Sequence, residues 1–234
     1  MIPLPSSASV TTQLLKKHGL RNTAVRGVHA LDPGNCRFVG RAVTLRYLPL
    51  REDMADAQSL SNPQALMHRV MERVKPGDAL VIDAMGTIDS GILGEMLVTR
   101  LHVLGVAGIV CDGAMRDLSE IRNQGMPMLL KGGAPPPSFV NLMLVDLDIP
   151  IACGGVTVCP GDSVVADEDG VAICPACFSG TVLPDAVEQD RVERYIRQRV
   201  AAGEGLVGLY PMNETVVAAY RDWAAAGEPA IRRG

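Results

Sequence analysis

The sequence predicts an α/β fold in which consecutive parallel strand–helix–strand units are followed by an antiparallel β segment and closing helices. Two observations carry this. Between residues 76 and 133, short apolar runs bounded by Gly and Pro alternate with helix-like stretches, the pattern of a parallel sheet. From "DIPIACGG" through "GDSVVADEDGVAICP", short strand-like runs are separated by tight Gly, Pro and Asp turns that leave no room for a helix.

In chain order, Thr11 and Thr12 are placed to cap a first helix carrying Leu14 and Leu15 and stopping near Gly19, and the chain is turn-rich from there to about residue 30. "CRFVGRAVTLRYLPL", 36 to 50, alternates as one or two strands do. Asn62-Pro63 reads as a helix start, with Leu66, Val70 and Val74 on one face. "KPGDALVIDAMG" is a turn and a short buried strand over 79 to 83. "SGILGEMLVTRLHVLG" is an apolar helix ending at Gly105. "VAGIVCDG" is a second buried strand, "DLSEIRNQ" a short helix stopped by Gly125, and "MPMLLKGG" a third strand. "PDAVEQDRVERYIRQRVAAG" is an amphipathic helix closed by Gly203, and "NETVVAAYRDWAAAG" a smaller one. No domain boundary is visible across the 234 residues, a length that suits one domain.

Composition narrows the function classes. Hydrophobic residues are 47% and charged residues 21%, enough to form a core. The net charge of −4 without a basic cluster argues against a nucleic-acid partner, as does an aromatic content of 3%. No apolar run reaches membrane-spanning length and no signal-peptide pattern opens the chain, so the expected place is the cytoplasm. The cysteines at 36, 111, 153, 159, 174 and 177 fall largely in apolar strand-like runs and read as reduced, buried thiols. The "CPAC" of Cys174 to Cys177 lacks a second ligand pair for zinc. His18, His29, His68 and His102 show no metal spacing and read as surface or packing residues.

Two helix starts follow strand ends, where unpaired backbone N–H groups and the macrodipole favour anions. One is the glycine-flanked "DAMGTIDSGILGEML"; the other is Arg116-Asp117 within "VCDGAMRDLSEI". Both lie at carboxyl ends of parallel strands, the usual position for ligands in such sheets. The residues alone leave two readings of Arg116-Asp117 open. Asp117 with Glu120 three residues later has capping-box spacing, and Arg116 then forms a surface ion pair. Alternatively the pair holds a ligand, and Glu95, in an apolar helix stretch, belongs with it.

"GEMLVTRLHVLGVAGIVCDGAMRDLSEI" followed by "GGVTVCPGDSVVADEDGVAICP" resembles the RraA-like family. That family includes the class II 4-hydroxy-4-methyl-2-oxoglutarate/4-carboxy-4-hydroxy-2-oxoadipate aldolases and the regulator of ribonuclease activity A. The resemblance covers about 75 to 210, leaving a divergent 1–74 and a C-terminal helix at 211–234 within a single RraA-like domain. It implies the swivelling β/β/α type of fold with a mixed β core. The aldolase pattern is an acid, twenty intervening residues and Arg-Asp, met here by Glu95, residues 96 to 115 and Arg116-Asp117. The first acid is Glu where the aldolases have Asp.

The resemblance implies roles. Asp117 ligates a divalent metal, Mg²⁺ or Mn²⁺, directly, and Glu95 holds it through a water. Arg116 contacts the keto-acid oxygens, and the backbone of Gly94, Glu95, Met96 and Leu97 takes the substrate carboxylate. Glu193 matches an acid expected from a neighbouring subunit of a homotrimer or hexamer. The implied activity is a metal-dependent lyase that cleaves 4-hydroxy-2-keto acids by retro-aldol reaction, or decarboxylates oxaloacetate, through a pyruvate enolate. A hard cation and a fixed guanidinium fork are the groups such an enolate needs. The alternatives are a non-catalytic regulator that binds a ribonuclease, which would lack the Asp after Arg, and a same-fold enzyme acting on another hydroxy or keto acid.

Overall fold

A computed structural model describes residues 3–54, 61–62 and 64–231. Pro63 of the expected Asn62-Pro63 helix start lies outside them. Helix α1 (Ser7–His18) leads to two short strands, β1 (Ala24–Val25) and β2 (His29–Ala30), and the long strand β3 (Phe38–Pro49). Helix α2 (Leu66–Arg73) precedes the alternating core of β4 (Asp78–Asp83), α3 (Glu95–Val103), β5 (Gly108–Met115), α4 (Leu118–Gln124) and β6 (Met128–Gly133). Five further strands follow: β7 (Leu142–Leu147), β8 (Ile151–Cys153), β9 (Val156–Val158), β10 (Ser163–Asp167) and β11 (Gly170–Cys174). Helices α5 (Ala176–Ala201) and α6 (Glu214–Ala225) close the fold.

The main sheet runs β1-β11-β10-β3-β4-β5-β6-β2, with β7 also pairing β3. β3, β4, β5 and β6 are mutually parallel, while β10, β11, β1, β2 and β7 join antiparallel. The mixed sheet expected from the sequence is the one observed. Every residue of β4 and β5 is buried, because both faces are covered and successive side chains point to opposite faces. Leu80, Ile82, Ile109 and Cys111 pack with Val98, Leu101 and Ile121 of the helices. Ala79, Val81 and Val110 face the other way, onto Ile151, Val156 and Val158 of the small β8-β9 hairpin. A third cluster seats α1 and the start of α5 on β10 and β11 through Val10, Leu14, Val182 and Ala186. Tyr195, Ile196, Tyr220 and Trp223 join the far half of α5 to α6.

Three boundaries differ from the sequence reading, each for a tertiary reason. Helix α1 begins at Ser7, capped by Ser6 rather than by Thr11 or Thr12. The Ser6 hydroxyl accepts from Ser9 N–H, and the Ser6 and Ser9 hydroxyls both donate to Asp190, at 2.7 and 2.6 Å. The serines at the start of α1 are thus satisfied by a carboxylate from α5. Helix α3 starts at Glu95, not at Ser90. The backbone from Gly91 to Leu93 is engaged in strand-like pairing, with Gly91 N–H donating to Pro136 O and Ile92 N–H to Ala114 O, both at 2.8 Å. Helix α5 starts at Ala176 and runs through Pro184. Pro184 deprives the Gly180 carbonyl of its helical donor, but both residues are exposed, so water can serve there while buried Val182 and Ala186 hold the opposite face.

Cys36, Cys111, Cys153 and Cys174 are buried, and Cys159 and Cys177 are exposed. Burial pushes the Cys111 thiol up to about 12 and raises Cys153 and Cys174, which keeps these groups protonated and inert. His18 stacks on Phe178 with ring centroids 3.8 Å apart, a packing role as expected. Among the described residues, no helix is long and apolar enough to cross a membrane.

Candidate functional site

Parallel strands deliver their carboxyl ends to one edge of the sheet, and there the loop after β4 meets the loop after β5. Gly91 bridges both Ala114 of β5 and Pro137 of the segment beyond β6. Arg116 N–H donates to Leu93 O at 3.1 Å. The approach is close enough that a Cβ on Gly91 would stand 2.7 Å from the Arg116 backbone nitrogen, so glycine is required by space.

Asp117 occupies the residue before α4 with φ 60 and ψ 41, the left-handed region. Asp and Asn tolerate this conformation better than most residues with a Cβ. That backbone turns its carboxylate away from α4, to which it makes no capping hydrogen bond. Oδ2 instead accepts from Glu95 N–H at 3.1 Å, at the first turn of α3. Glu120, the other half of the supposed capping box, is exposed and accepts from the Ser119 hydroxyl at 2.7 Å, a bond that lowers its pKa. The capping alternative is therefore corrected. Asp117 stands at the N-cap position of one helix and satisfies the N-terminus of another, twenty-two positions earlier.

Arg116 folds back on its neighbour. Its Nε donates to Asp117 Oδ2 at 3.2 Å and more distantly to Oδ1 at 3.4 Å. The two side chains are 39% and 34% exposed, so the pair is neither sealed in the core nor free in solvent. Both open onto a cavity of about 240 Å³ that also touches Gly94, Glu95, Met96 and Leu97. The structure thus brings together Glu95, Arg116, Asp117 and the start of α3 in one place.

Glu193 does not join them within one chain. It is exposed on α5, accepts from Gln189 Nε2 at 2.9 Å and is absent from the cavity lining. Sequence reasoning missed the far wall, made by Pro137, Ser138 and Phe139. The available signal was positional: "APPPSFV" follows β6, a parallel strand, at its carboxyl end, where ligand loops belong.

The donor set near Asp117 is oxygen only. Among the described residues, no group of three or more His, Cys, Asp or Glu gathers in a way that could hold a metal. Asp117 Oδ1 has one long contact and retains capacity for another partner. Asp117 and Glu95 line the same cavity, and an all-oxygen donor set of this kind fits a hard cation that keeps most of its waters better than it fits zinc.

Gly94 holds the arrangement together. A Cβ there would stand 2.6 Å from Asp117 Oδ2 and 3.1 Å from Arg116 Nε. Its φ of −115 is open to any residue, so Gly94→Ala carries no backbone strain. The expected result is a chain with a near-normal melting temperature whose ligand turnover falls about tenfold or more, because the carboxylate and guanidinium must shift together. Full turnover in this variant would show that the Asp117–Glu95 contact does not matter.

The family model described as RraA-like, Aldolase/RraA, matches residues 7–173, including most of the N-terminal third. A Thermus thermophilus protein named 4-hydroxy-4-methyl-2-oxoglutarate aldolase is 33% identical over 147 residues, covering 63% of this chain and 81% of the relative. Streptomyces coelicolor RraAS2, described as an unusual member of the RNase ES inhibitor RraA protein family, has a crystal structure that superposes with a TM-score of 0.72 at 37% identity. The superposition covers 82% of this chain and 91% of that one. The RNA-processing inhibitor RraA from Thermus thermophilus gives a TM-score of 0.53 at 28% identity, over 70% of this chain and 92% of its own.

Proposed function

The chain belongs to the RraA-like family, and from that premise we propose that it is a divalent-metal-dependent lyase that cleaves 4-hydroxy-2-keto acids to pyruvate, and decarboxylates oxaloacetate, through a shared pyruvate enolate. The observation that carries this reading is the convergence of Arg116, Asp117 and Glu95 with the start of α3 on one cavity. A relative named as an aldolase supports it.

Mg²⁺ or Mn²⁺ would be held by Asp117 directly and by Glu95 through a water, and when bound it would supply Lewis-acid polarisation of the 2-keto oxygen. The chain's own residues do the rest. The N–H groups at the start of α3 lack helical partners, and those of Met96 and Leu97 receive the substrate carboxylate; that of Glu95 is already given to Asp117. This contact fixes Asp117 in place. Arg116, held beside the cavity by its contact with Asp117, offers its remaining guanidinium N–H groups to the 2-keto oxygen as negative charge develops there. The retro-aldol step breaks the C3–C4 bond. Its electron pair becomes the enolate, the C4 hydroxyl gives up its proton, and C3 is later protonated to give pyruvate.

The reading includes assembly into a homotrimer or hexamer, with Glu193 of one subunit approaching the cavity of the next. The test is a pyruvate-release assay over a panel of 4-hydroxy-2-keto acids and oxaloacetate, with Mg²⁺ or with EDTA, alongside light scattering on the same preparation. Metal-dependent release by an oligomer is expected. No release from any substrate would overturn the lyase, and a fully active monomer would overturn the shared site.

A second reading rests on the 37% identity to RraAS2: a regulator that binds a ribonuclease. The Asp after Arg in this chain weighs for the enzyme. Binding of a purified ribonuclease without any pyruvate release would favour the regulator.

A further inference from the structure

Resting on the lyase reading, we propose that Asp112 is a positioning residue. Its buried carboxylate fixes the loop after β4, and through that loop the N–H groups at the start of α3 that receive the substrate carboxylate.

Asp112 is 5% exposed and lies outside the cavity lining. Both of its oxygens accept from backbone donors that are far apart in sequence. Oδ1 accepts from Ala84 N–H at 2.7 Å, where the chain leaves β4. Oδ2 accepts from Gly154 N–H at 3.2 Å, in the turn of the β8-β9 hairpin. The carboxylate thus ties the exit of β4 to β5, and both to the hairpin that covers this face of the sheet.

From Ala84 onward the loop is fastened along β5. Thr87 O accepts from Ala114 N–H at 3.0 Å, Ile92 N–H donates to Ala114 O at 2.8 Å, and Leu93 O accepts from Arg116 N–H at 3.1 Å. Residues 84–93 therefore form a bracket with one foot on Asp112 and the other on Arg116, and α3 opens at Glu95 just beyond it. Moving the first foot changes where the bracket delivers Met96 and Leu97 relative to the guanidinium. A misplacement of about 1 Å in such a constellation is enough to weaken catalysis.

Two features show that the loop is held in place by its surroundings. Met85 and Gly86 both have positive φ, 56 and 71. Glycine adopts this region freely, but a methionine there is strained and persists only where neighbouring groups over-determine the backbone, as they do around functional sites. Here Asp112 holds Ala84 N–H, and Asp83 Oδ1 accepts from Met85 N–H at 3.1 Å. The second feature is Gly113. A Cβ there would stand 2.7 Å from the Ala84 Cβ and 2.9 Å from Thr87 O, so the loop rests directly on β5. The β5-β6 register shifts at the same place, between Cys111 and Ala114, an irregularity of the kind that re-aims a strand beside a site.

Asp162 supplies a matched comparison. It is 7% exposed, and its carboxylate also bridges two backbone donors, Cys159 N–H at 2.8 Å and Ala176 N–H at 3.0 Å. Neither of those residues lines the cavity. Asparagine at either aspartate leaves one of the two N–H groups facing an amide donor, so both variants should melt lower. Kinetics separate them. A smaller folded fraction lowers the apparent kcat and leaves KM alone. A displaced carboxylate site loses a contact made equally in the ground and transition states, which raises KM with kcat nearly constant.

The experiment is steady-state kinetics of wild type, Asp112→Asn and Asp162→Asn on 4-hydroxy-4-methyl-2-oxoglutarate with saturating Mg²⁺, with a melting curve for each. Asp112→Asn should raise KM about tenfold, the scale of one weakened hydrogen bond to a charged group, and Asp162→Asn should leave it unchanged. Amide hydrogen exchange on the wild type, with and without pyruvate and Mg²⁺, tests the same link without a variant. Protection of the Ala84 and Gly154 amides should rise on binding by more than that of Cys159 and Ala176. A wild-type KM in Asp112→Asn, the same KM change in both variants, or equal gains in protection at the two aspartates overturns the inference while the lyase stands. No pyruvate release by the wild type from this substrate or from oxaloacetate overturns the lyase reading and this inference with it.

Discussion

Asp117→Asn is expected to lose metal-dependent pyruvate release while keeping the fold. Asn is nearly isosteric with Asp, tolerates the left-handed conformation at φ 60, and its amide oxygen can still accept from Glu95 N–H. What it removes is the negative charge, on which direct cation binding depends. Its melting temperature should stay within about 4 °C of wild type, the scale of about 1 kcal/mol in a chain of this length. Asp117→Ala should lose activity equally but melt lower. It also deletes the acceptor for Glu95 N–H, a loss of about 1 kcal/mol for a helix start, and puts alanine in a left-handed conformation that Asp and Asn tolerate better. The measurement is pyruvate release against Mg²⁺ concentration together with a melting curve for each variant. Wild-type turnover by Asp117→Asn would remove this residue from the metal role.

Arg116→Lys separates a gripping arginine from a decorative one. If the Arg116–Asp117 contact were only a half-exposed ion pair, its replacement would change little, since such pairs contribute about 0–1 kcal/mol. If the guanidinium meets the enolate oxygen, lysine keeps the charge but loses the planar fork and its fixed reach. Arg116 emerges from a backbone pinned by its N–H to Leu93 O, so the side chain starts from a fixed point and a differently shaped head cannot compensate. The expected loss is about 10²-fold in kcat and kcat/KM together, by comparison with removal of one oxyanion donor. Oxaloacetate decarboxylation should fall in parallel, because the same enolate forms. An unchanged kcat at an unchanged melting temperature would return Arg116 to the surface ion pair.

The alternation of β4, α3, β5, α4 and β6 was legible because each element is marked locally. The strands are short continuous apolar runs, and Gly105 and Gly125 stop the helices between them. The antiparallel character of β8 to β11 was legible for the same reason, since tight turns are written in Gly, Pro and Asp. Helix starts were read less well. The Ser6 cap depends on Asp190 in α5, and the late start of α3 depends on backbone pairing of Gly91 and Ile92 with Pro136 and Ala114. Neither partner is close in sequence. The passage of α5 through Pro184 likewise needed the knowledge that the broken turn faces solvent.

By itself, then, the sequence determined the order of elements, the parallel core and the neighbourhood of Glu95, Arg116 and Asp117, because local periodicity and strand-end position are properties of short segments. Only the tertiary structure decided what Asp117 does. Capping-box spacing assigned it to α4, yet a left-handed φ turns its carboxylate to the first turn of α3. Spacing counts residues along the chain, whereas a side chain bonds to whatever its own backbone dihedrals aim it at. The far wall of Pro137 and Phe139 belongs to the same class of fact. It faces Arg116 because parallel strands gather their carboxyl ends on one edge of the sheet, bringing together loops that the chain keeps more than twenty residues apart.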